Sequence, residues 1–273
     1  MLLAGALAGV ALLRRTPVPS ASQGGNGLLA NESAIRGQAV TWITEQVDRS
    51  NAVACDTAMC ADLAQHGFPA SNLNLLPPSA PDPYGSQVLV ASTDVRTQFA
   101  SRLTFFAPTV IASFGTGAAR IDIRVIAANG AAYQKALRQD LVKRRTSGSE
   151  LAGNKRVTVT PAARAQLLSG EVDLRLVTAL AFLASSEPVS IVSFGSFAPG
   201  AAADVPLRWA YLAESDAAVT TSGPAYVRSL ISFANNLASP YTPLHVSPVN
   251  LPGGRKALLI EFAAPSPLGL LPS

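Results

Sequence analysis

Cys55 and Cys60, in the stretch "ACDTAMCADL", are the only cysteines in 273 residues, and a pair spaced in this way is compatible with four chemistries. A structural zinc centre takes four Cys or His ligands, and the chain adds to the pair only His66 nearby and His245 far downstream. A thioredoxin-type redox centre separates its cysteines by two residues at a helix start; here four residues intervene. A nucleophilic cysteine needs a base within hydrogen-bond reach; either histidine could be that base, but nothing in the sequence places one there. A disulfide needs Cα atoms roughly 4.4–6.8 Å apart, which a turn leaving a strand and entering a helix supplies, and in an oxidising compartment two close cysteines are most simply a staple. We read the pair as a disulfide, and expect no bound metal and no cofactor.

Asp56 is the leading polar candidate for ligand binding. It follows the first strand, and α/β folds bind ligands at the carboxyl ends of strands. Its competing role is to cap the next helix. Arg120 and Arg124 alternate with apolar residues along a hairpin strand and are assigned to its solvent face, as candidate contacts to an anionic polymer. The densest basic cluster, Lys143, Arg144 and Arg145 in "LVKRR", reads as a solvated helix end. Carboxylate pairs such as Asp122 with Glu261, or Glu171 with Asp173, read as solvent-facing charges. No G-x-S-x-G elbow is present. Gly115-Thr116-Gly117 is not a phosphate loop, because such a loop must open a helix and here a strand follows. No residue is assigned a catalytic role.

These residues depend on the elements that carry them. Ser33 to Val47 places Ile35, Val40, Ile43 and Val47 at helical spacing, with Asn31 or Ser33 as the cap. "NAVACD" is a short strand ending at Cys55 and Asp56, and "TAMCADLAQHGF" a helix stopped by Gly67. "SNLNLL" returns toward the sheet, Ser86 to Thr93 is a buried strand, and "TDVRTQFASRL" is a helix capped by Thr93 or Asp94. This alternation predicts a parallel α/β sheet. Thr109 to Ala127 then forms a hairpin with one buried face. "AAYQKALRQDLVKRR" is an amphipathic helix with Tyr133, Leu137 and Leu141 on one face, and "TSGSELAGN" a boundary. Beyond it, Lys155 to Thr160 is a strand feeding a helix opened by Pro161. Val172 to Pro188 is the central helix of this half, and Val189 to Phe197 a buried strand. "PLRWAYLAE" and "RKALLIEFAA" are further strands, Pro224 to Ala238 is an amphipathic helix, and the tail "PSPLGLLPS" has no periodicity.

Charged residues make up 14% of the chain and apolar ones 48%, enough apolar surface to fold and too little charge for a disordered chain. The net charge of +4 comes from scattered arginines, so we expect no nucleic-acid partner. Leu2 to Leu13 is an apolar run closed by Arg14 and Arg15. It is shorter than the roughly twenty residues that span a bilayer, and we read it as a short signal segment or the tail of a membrane anchor whose start lies upstream. Thr16 to Gly27, rich in Pro, Ser and Gly, reads as a linker. An anchor, a linker and a stapled globule together describe an extracytoplasmic domain on a tether.

Residues 33 to 127, through "TWITEQV", "VACDTAMCADLAQHGF", "VLVASTDVR" and "VIASFGTGAARIDIRVI", resemble the extracytoplasmic domain of actinobacterial polytopic glycosyltransferase-like membrane proteins. The resemblance implies a Rossmann-like α/β unit, whose Asp56 to Leu63 element follows the first strand, and imports no catalysis. Residues 155 to 262, through "VTVTPAARAQLLSGEVDLRLVTALAFLASSEPVSIVSFGS", are similar to zinc D-alanyl-D-alanine carboxypeptidase-like proteins of the same bacteria. That family carries a Ser-x-His-x-x-Gly-Arg-Ala-x-Asp element whose His and Asp bind zinc. Here Arg208 matches, but the expected His falls near Asp204 and the expected Asp at Tyr211, while His245 echoes the late histidine. The similarity therefore implies an enzyme fold kept for binding.

The expected fold is α/β: a Rossmann-like N-terminal unit plus a second small α+β domain, preceded by a short apolar helix and linker. The divisions are 1–15 anchor or signal, 16–32 linker, 33–147 first domain, 154–263 second domain and 264–273 tail. The expected function is non-catalytic binding or scaffolding at the cell envelope, with a cell-wall polymer or a membrane protein as partner. The alternative is a cell-wall hydrolase or a glycosyltransferase accessory domain.

Overall fold

The structure is a computed structural model that describes residues 23–195, 198–213 and 224–270. The apolar run Leu2 to Leu13 lies outside the described residues, and among those described no helix is long and apolar enough to cross a membrane. Helix α1 (Gln23–Gln46) begins inside the stretch that composition assigns to the linker. Glycine disfavours a helix by about 1 kcal/mol per residue, but Ile35, Ala39, Val40, Trp42 and Ile43 are buried and hold the C-terminal half, from which turns add cheaply toward the N-terminus.

The first sheet is built from β1 (Val53–Cys55), β2 (Leu73–Leu75), β3 (Val88–Ala91), β4 (Thr109–Phe114) and β5 (Ile121–Val125), in the order β2-β1-β3-β5-β4. Only β2, β1 and β3 run parallel, and β5 and β4 add as antiparallel strands, so the sheet is mixed where the alternation predicts a parallel one. The hairpin turn accounts for this: a short loop can return a chain only antiparallel to itself. Every residue of β1 and β3 is buried, because both faces are covered. Val53, Cys55, Val88 and Val90 face α1 and α2 (Thr57–Gln65); Ala54, Leu89 and Ala91 face α3 (Thr93–Phe99) and α4 (Leu103–Phe106).

Helix α5 (Gly130–Gly153) runs unbroken through the stretch read as a boundary. Its buried stripe is Asp140, Arg144, Gly148, Leu151 and Ala152, while Tyr133, Leu137 and Leu141 are only half-buried. Arg144 is thus no solvated helix end: its Nε donates to Asp140 at 2.7 Å, and Nη1 donates to the Gly170 carbonyl. That carbonyl is presented because Gly170 closes the next helix in the left-handed region, at φ 75°. At Gly148, α5 approaches so closely that a Cβ would overlap the Leu167 carbonyl.

The second sheet contains β6 (Val157–Val159), β7 (Val189–Gly195), β8 (Trp209–Ala213), β9 (His245–Asn250) and β10 (Lys256–Glu261), in the order β6-β7-β8-β10-β9, with only β6 and β7 parallel. Helices α6 (Pro161–Ser169), α7 (Leu174–Ser186) and α8 (Pro224–Asn235), with the end of α5, bury one apolar face against it. As the sequence predicts, Pro161 opens α6, and Thr160 caps it. The edge strand β9 has no counterpart in the sequence reading, since Pro248 and three polar residues hide its alternation.

A buried polar joint ties the two sheets together. Arg208 Nη2 donates to Gln46 Oε1 at 2.9 Å and Nη1 to the Phe262 carbonyl at 2.7 Å. Asp173 accepts from Arg175 Nη2 at 2.8 Å and from Ser266 Oγ at 2.5 Å, and Arg175 also donates to the Ala263 carbonyl at 2.7 Å. The tail therefore has partners, although its sequence has no period: the Ala264 amide donates to Gln46 at 2.7 Å, and Ala264 bridges to Val47. Asp173 is 1% exposed and Asp122 is 3% exposed, so neither is the solvent-facing carboxylate expected of it. Each is buried because arginine neighbours supply its hydrogen bonds.

Candidate functional site

Strand β1 leads through α2 to β2 on one side of it, and β2 leads to β3 on the other side. This reversal is a topological switch point, and it opens a crevice outside the carboxyl ends of β1 and β3. Helices α2 and α3 leave those ends toward opposite faces, so no connection crosses the gap.

The crevice is built from the two capping residues. Asp56 Oδ1 accepts the Met59 amide at 2.9 Å and opens α2, while Ser92 accepts the Val95 amide at 3.5 Å and opens α3. Ser92 Oγ also donates to Asp56 Oδ2, bridging the two strand ends. Asp56 is therefore both the cap and a wall of the crevice. On one side of the bridge lies a cleft of about 310 Å³ with Glu32, Arg36, Thr93, Asp94 and Ala119 in its walls. On the other, a cleft of about 530 Å³ runs between Leu76, Pro78, Asp94 and Gln98. Arg36 approaches Asp62 at 3.9 Å. Arg96 braces the rim, donating to the carbonyls of Ala118, at 2.8 Å, and Arg120.

Beneath Asp56 lies the disulfide. Cys55 and Cys60 are bonded with Cα atoms 5.4 Å apart, tying the last residue of β1 to the first turn of α2. The staple thus fixes the angle at which Asp56 leaves the sheet.

The arginine candidates differ from each other: Arg120 stands at the rim of this crevice through its backbone, whereas Arg124 is not among its walls. Arg124 does not face solvent: its side chain is 11% exposed, its Nε donates to the Ala107 carbonyl at 2.7 Å, and Nη1 lies 3.5 Å from Asp122. Burial pulls its pKa down, partly offset by Asp122. The face assigned to solvent is covered by α3 and α4, and Leu89 and Ala91 pair with Arg124 and Asp122 across the strands. Arg120 is 45% exposed and pairs with Asp122 at 2.6 Å, leaving it open to solvent at the hairpin end.

The remaining candidates do not converge. His66 ends α2 on the surface, with Nδ1 2.8 Å from the Asp62 carbonyl. His245 begins β9 in the other sheet, opposite Glu261, and Arg208 is locked in the joint. Among the described residues no three His, Cys, Asp or Glu side chains group so as to hold a metal ion. Ser92 and Arg36 were missed by sequence reasoning, and Thr93 and Asp94 were read only as caps of α3, a role that Ser92 takes. The signal for Ser92 was present, because a serine directly before Thr93 and Asp94 at a strand end is a favoured cap, but its bond to Asp56 spans 36 residues.

Comparison of the chain with protein-family models, with curated proteins and with solved structures gives no match in any of the three.

Proposed function

We propose that this chain is a non-catalytic binding domain of the cell envelope, Rossmann-like in its first unit and held at a membrane by its apolar N-terminal segment. Its ligand is a hydroxyl-rich wall polymer, bound at the crevice between β1 and β3. The observation that supports this most is the convergence of Asp56, Ser92, Thr93 and Asp94 at a switch point braced by a disulfide. Carboxylates that keep free lone pairs accept from ligand hydroxyls, and the staple holds them in place at low entropic cost. The disulfide and the tether-like N-terminal composition support an oxidising location outside the cytoplasm. The likeness of residues 33 to 127 to extracytoplasmic domains of glycosyltransferase-like membrane proteins supports the same reading.

Co-sedimentation with isolated actinobacterial cell walls tests the proposal. Asp94 is exposed, so Asp94→Lys should leave the fold intact and weaken retention by roughly tenfold, the equivalent of one charge-assisted hydrogen bond. Equal retention of both proteins, or release of soluble wall fragments by the wild type, would overturn it.

A further inference from the structure

Most of the net positive charge of the sequence sits in one helix. Over Gly130–Gly153, α5 holds five lysines and arginines against two carboxylates, so it accounts for three of the four net positive charges of the whole chain. One pair cancels inside the fold, where Arg144 meets Asp140, and Glu150 turns to the cleft that α5 shares with α7. What remains is an outer stripe at the three- and four-residue spacing of one helix face: Lys135, Arg138, Val142, Arg145 and Ser149, all exposed. No carboxylate of α5 stands on it. Among the described residues Lys135 and Arg138 have no ion-pair partner, so their charges are uncompensated. Arg145 lies along the seam with α6, where its Nε donates to the Ser169 carbonyl at 3.0 Å.

The stripe is not purely polar. Val142, at its centre, is 61% exposed, and Leu168, next to Ser169 at the seam, is 47% exposed. Cations set around exposed apolar side chains suit a face that lies in a lipid headgroup layer, where lysine and arginine meet phosphates while the apolar groups reach the acyl boundary. A polyanion dissolved in water would meet the same charges but leave Val142 and Leu168 in water. We infer that the outer face of α5, extended by Leu168 of α6, docks flat on an anionic bilayer, with phospholipid phosphodiesters as the partners of Lys135, Arg138 and Arg145. The helix lies along that surface and does not cross it. This docking face stands on the charge and exposure of α5 and α6 alone, so it depends neither on the crevice nor on the apolar N-terminal segment.

The test is co-sedimentation of the full chain with sucrose-loaded vesicles, of phosphatidylcholine alone or mixed with phosphatidylglycerol in equal parts. Any contribution of the N-terminal segment is common to wild type and variants, so the reading is how far each substitution moves the two affinities. A cation near an anionic surface is worth about fivefold in binding. Lys135→Gln combined with Arg138→Gln should therefore weaken binding to the mixed vesicles by roughly 25-fold and leave binding to neutral vesicles unchanged, and high salt should erase the difference. Should the double variant fail to fold, Arg138→Gln alone serves, with a loss of about fivefold. Val142→Trp supplies the second readout: its indole emission should shift to the blue on mixed vesicles and stay unshifted with soluble polyphosphate, while Trp42 and Trp209, both buried, contribute a constant background. Undiminished binding of the glutamine variants to mixed vesicles would overturn the inference. So would polyphosphate binding as tight as vesicle binding with no blue shift on vesicles, which would assign the stripe to a soluble polyanion.

Discussion

The first sheet is covered on both faces, by α1 and α2 on one side and α3 and α4 on the other, whereas the second carries α6, α7 and α8 on a single face. Two-sided cover sends the connections from β1 and β3 in opposite directions and leaves their carboxyl ends open, with Asp56 and Ser92 at the mouth. The second unit is organised differently. Its buried polar residues, Asp173, Arg175 and Arg208, bond inward to the tail and to Gln46 instead. The same kinds of side chain thus line an open crevice in one unit and bond inward in the other, and the layer arrangement decides which.

The sharpest way to break this contrast is to cut the joint. Asp173→Ala leaves Arg175 buried without its carboxylate and should cost about 3–5 kcal/mol, measured by urea unfolding. If the joint couples the units, two transitions should replace one; a single transition at an unchanged midpoint would remove its assigned role. Gly148→Val drives a branched side chain into the Leu167 carbonyl and should cost about 3 kcal/mol by overpacking, lowering the melting temperature. Replacing Cys55 and Cys60 together by alanine opens a short loop and should cost about 2 kcal/mol. That loss should be local, with faster amide exchange in β1 and α2 and unchanged exchange in α7 and β8.

The smallest expected effect concerns two buried aspartates of opposite sign. Burial raises the Asp140 carboxyl, and Arg144 offsets this only in part. Burial also works upward on Asp173, but the charge and hydrogen bonds of Arg175, with the bond from Ser266, more than offset it and hold that carboxyl below its usual value. A lowered native pKa contributes stability above the unfolded value of about 3.9, lost as pH falls through the native pKa. A raised one acts in reverse, with stability lost as pH rises from about 3.9 through the native pKa. Asp173→Asn should therefore flatten the stability curve below about pH 4, and Asp140→Asn above it. Denaturant midpoints from pH 3 to 7 would show it, and slopes of the same sign would contradict the assignment.

Elements whose signal is local were legible in the sequence. The strands β1 and β3 read as unbroken apolar runs because both faces are buried, and α6 announced itself through Pro161. What depended on distant packing was hidden. The serines and glycines of 146–153 favour a break, but Gly148 against α6 makes that stretch a close helix contact, so tertiary packing overrides propensity. Asp122 and Arg124 obey the alternation of a solvent face, yet α3 and α4 cover that face. In the crevice, Asp56 stood out by its place after a strand and beside the cysteines. Ser92 did not, because the bond that makes it part of the site is made in space, not in sequence.

The return of the tail has a consequence for the order of events during synthesis. The strands of the first sheet are complete once Val125 has left the ribosome, but the end of α1 is sealed only when Ala264 pairs with Val47 and Gln46. That residue emerges roughly 140 positions later, a delay on the order of 10–30 s at usual translation rates. Until then Val47 and Gln46 lack the contacts that Ala264 supplies, so the last contacts of the N-terminal unit come from the far end of the chain.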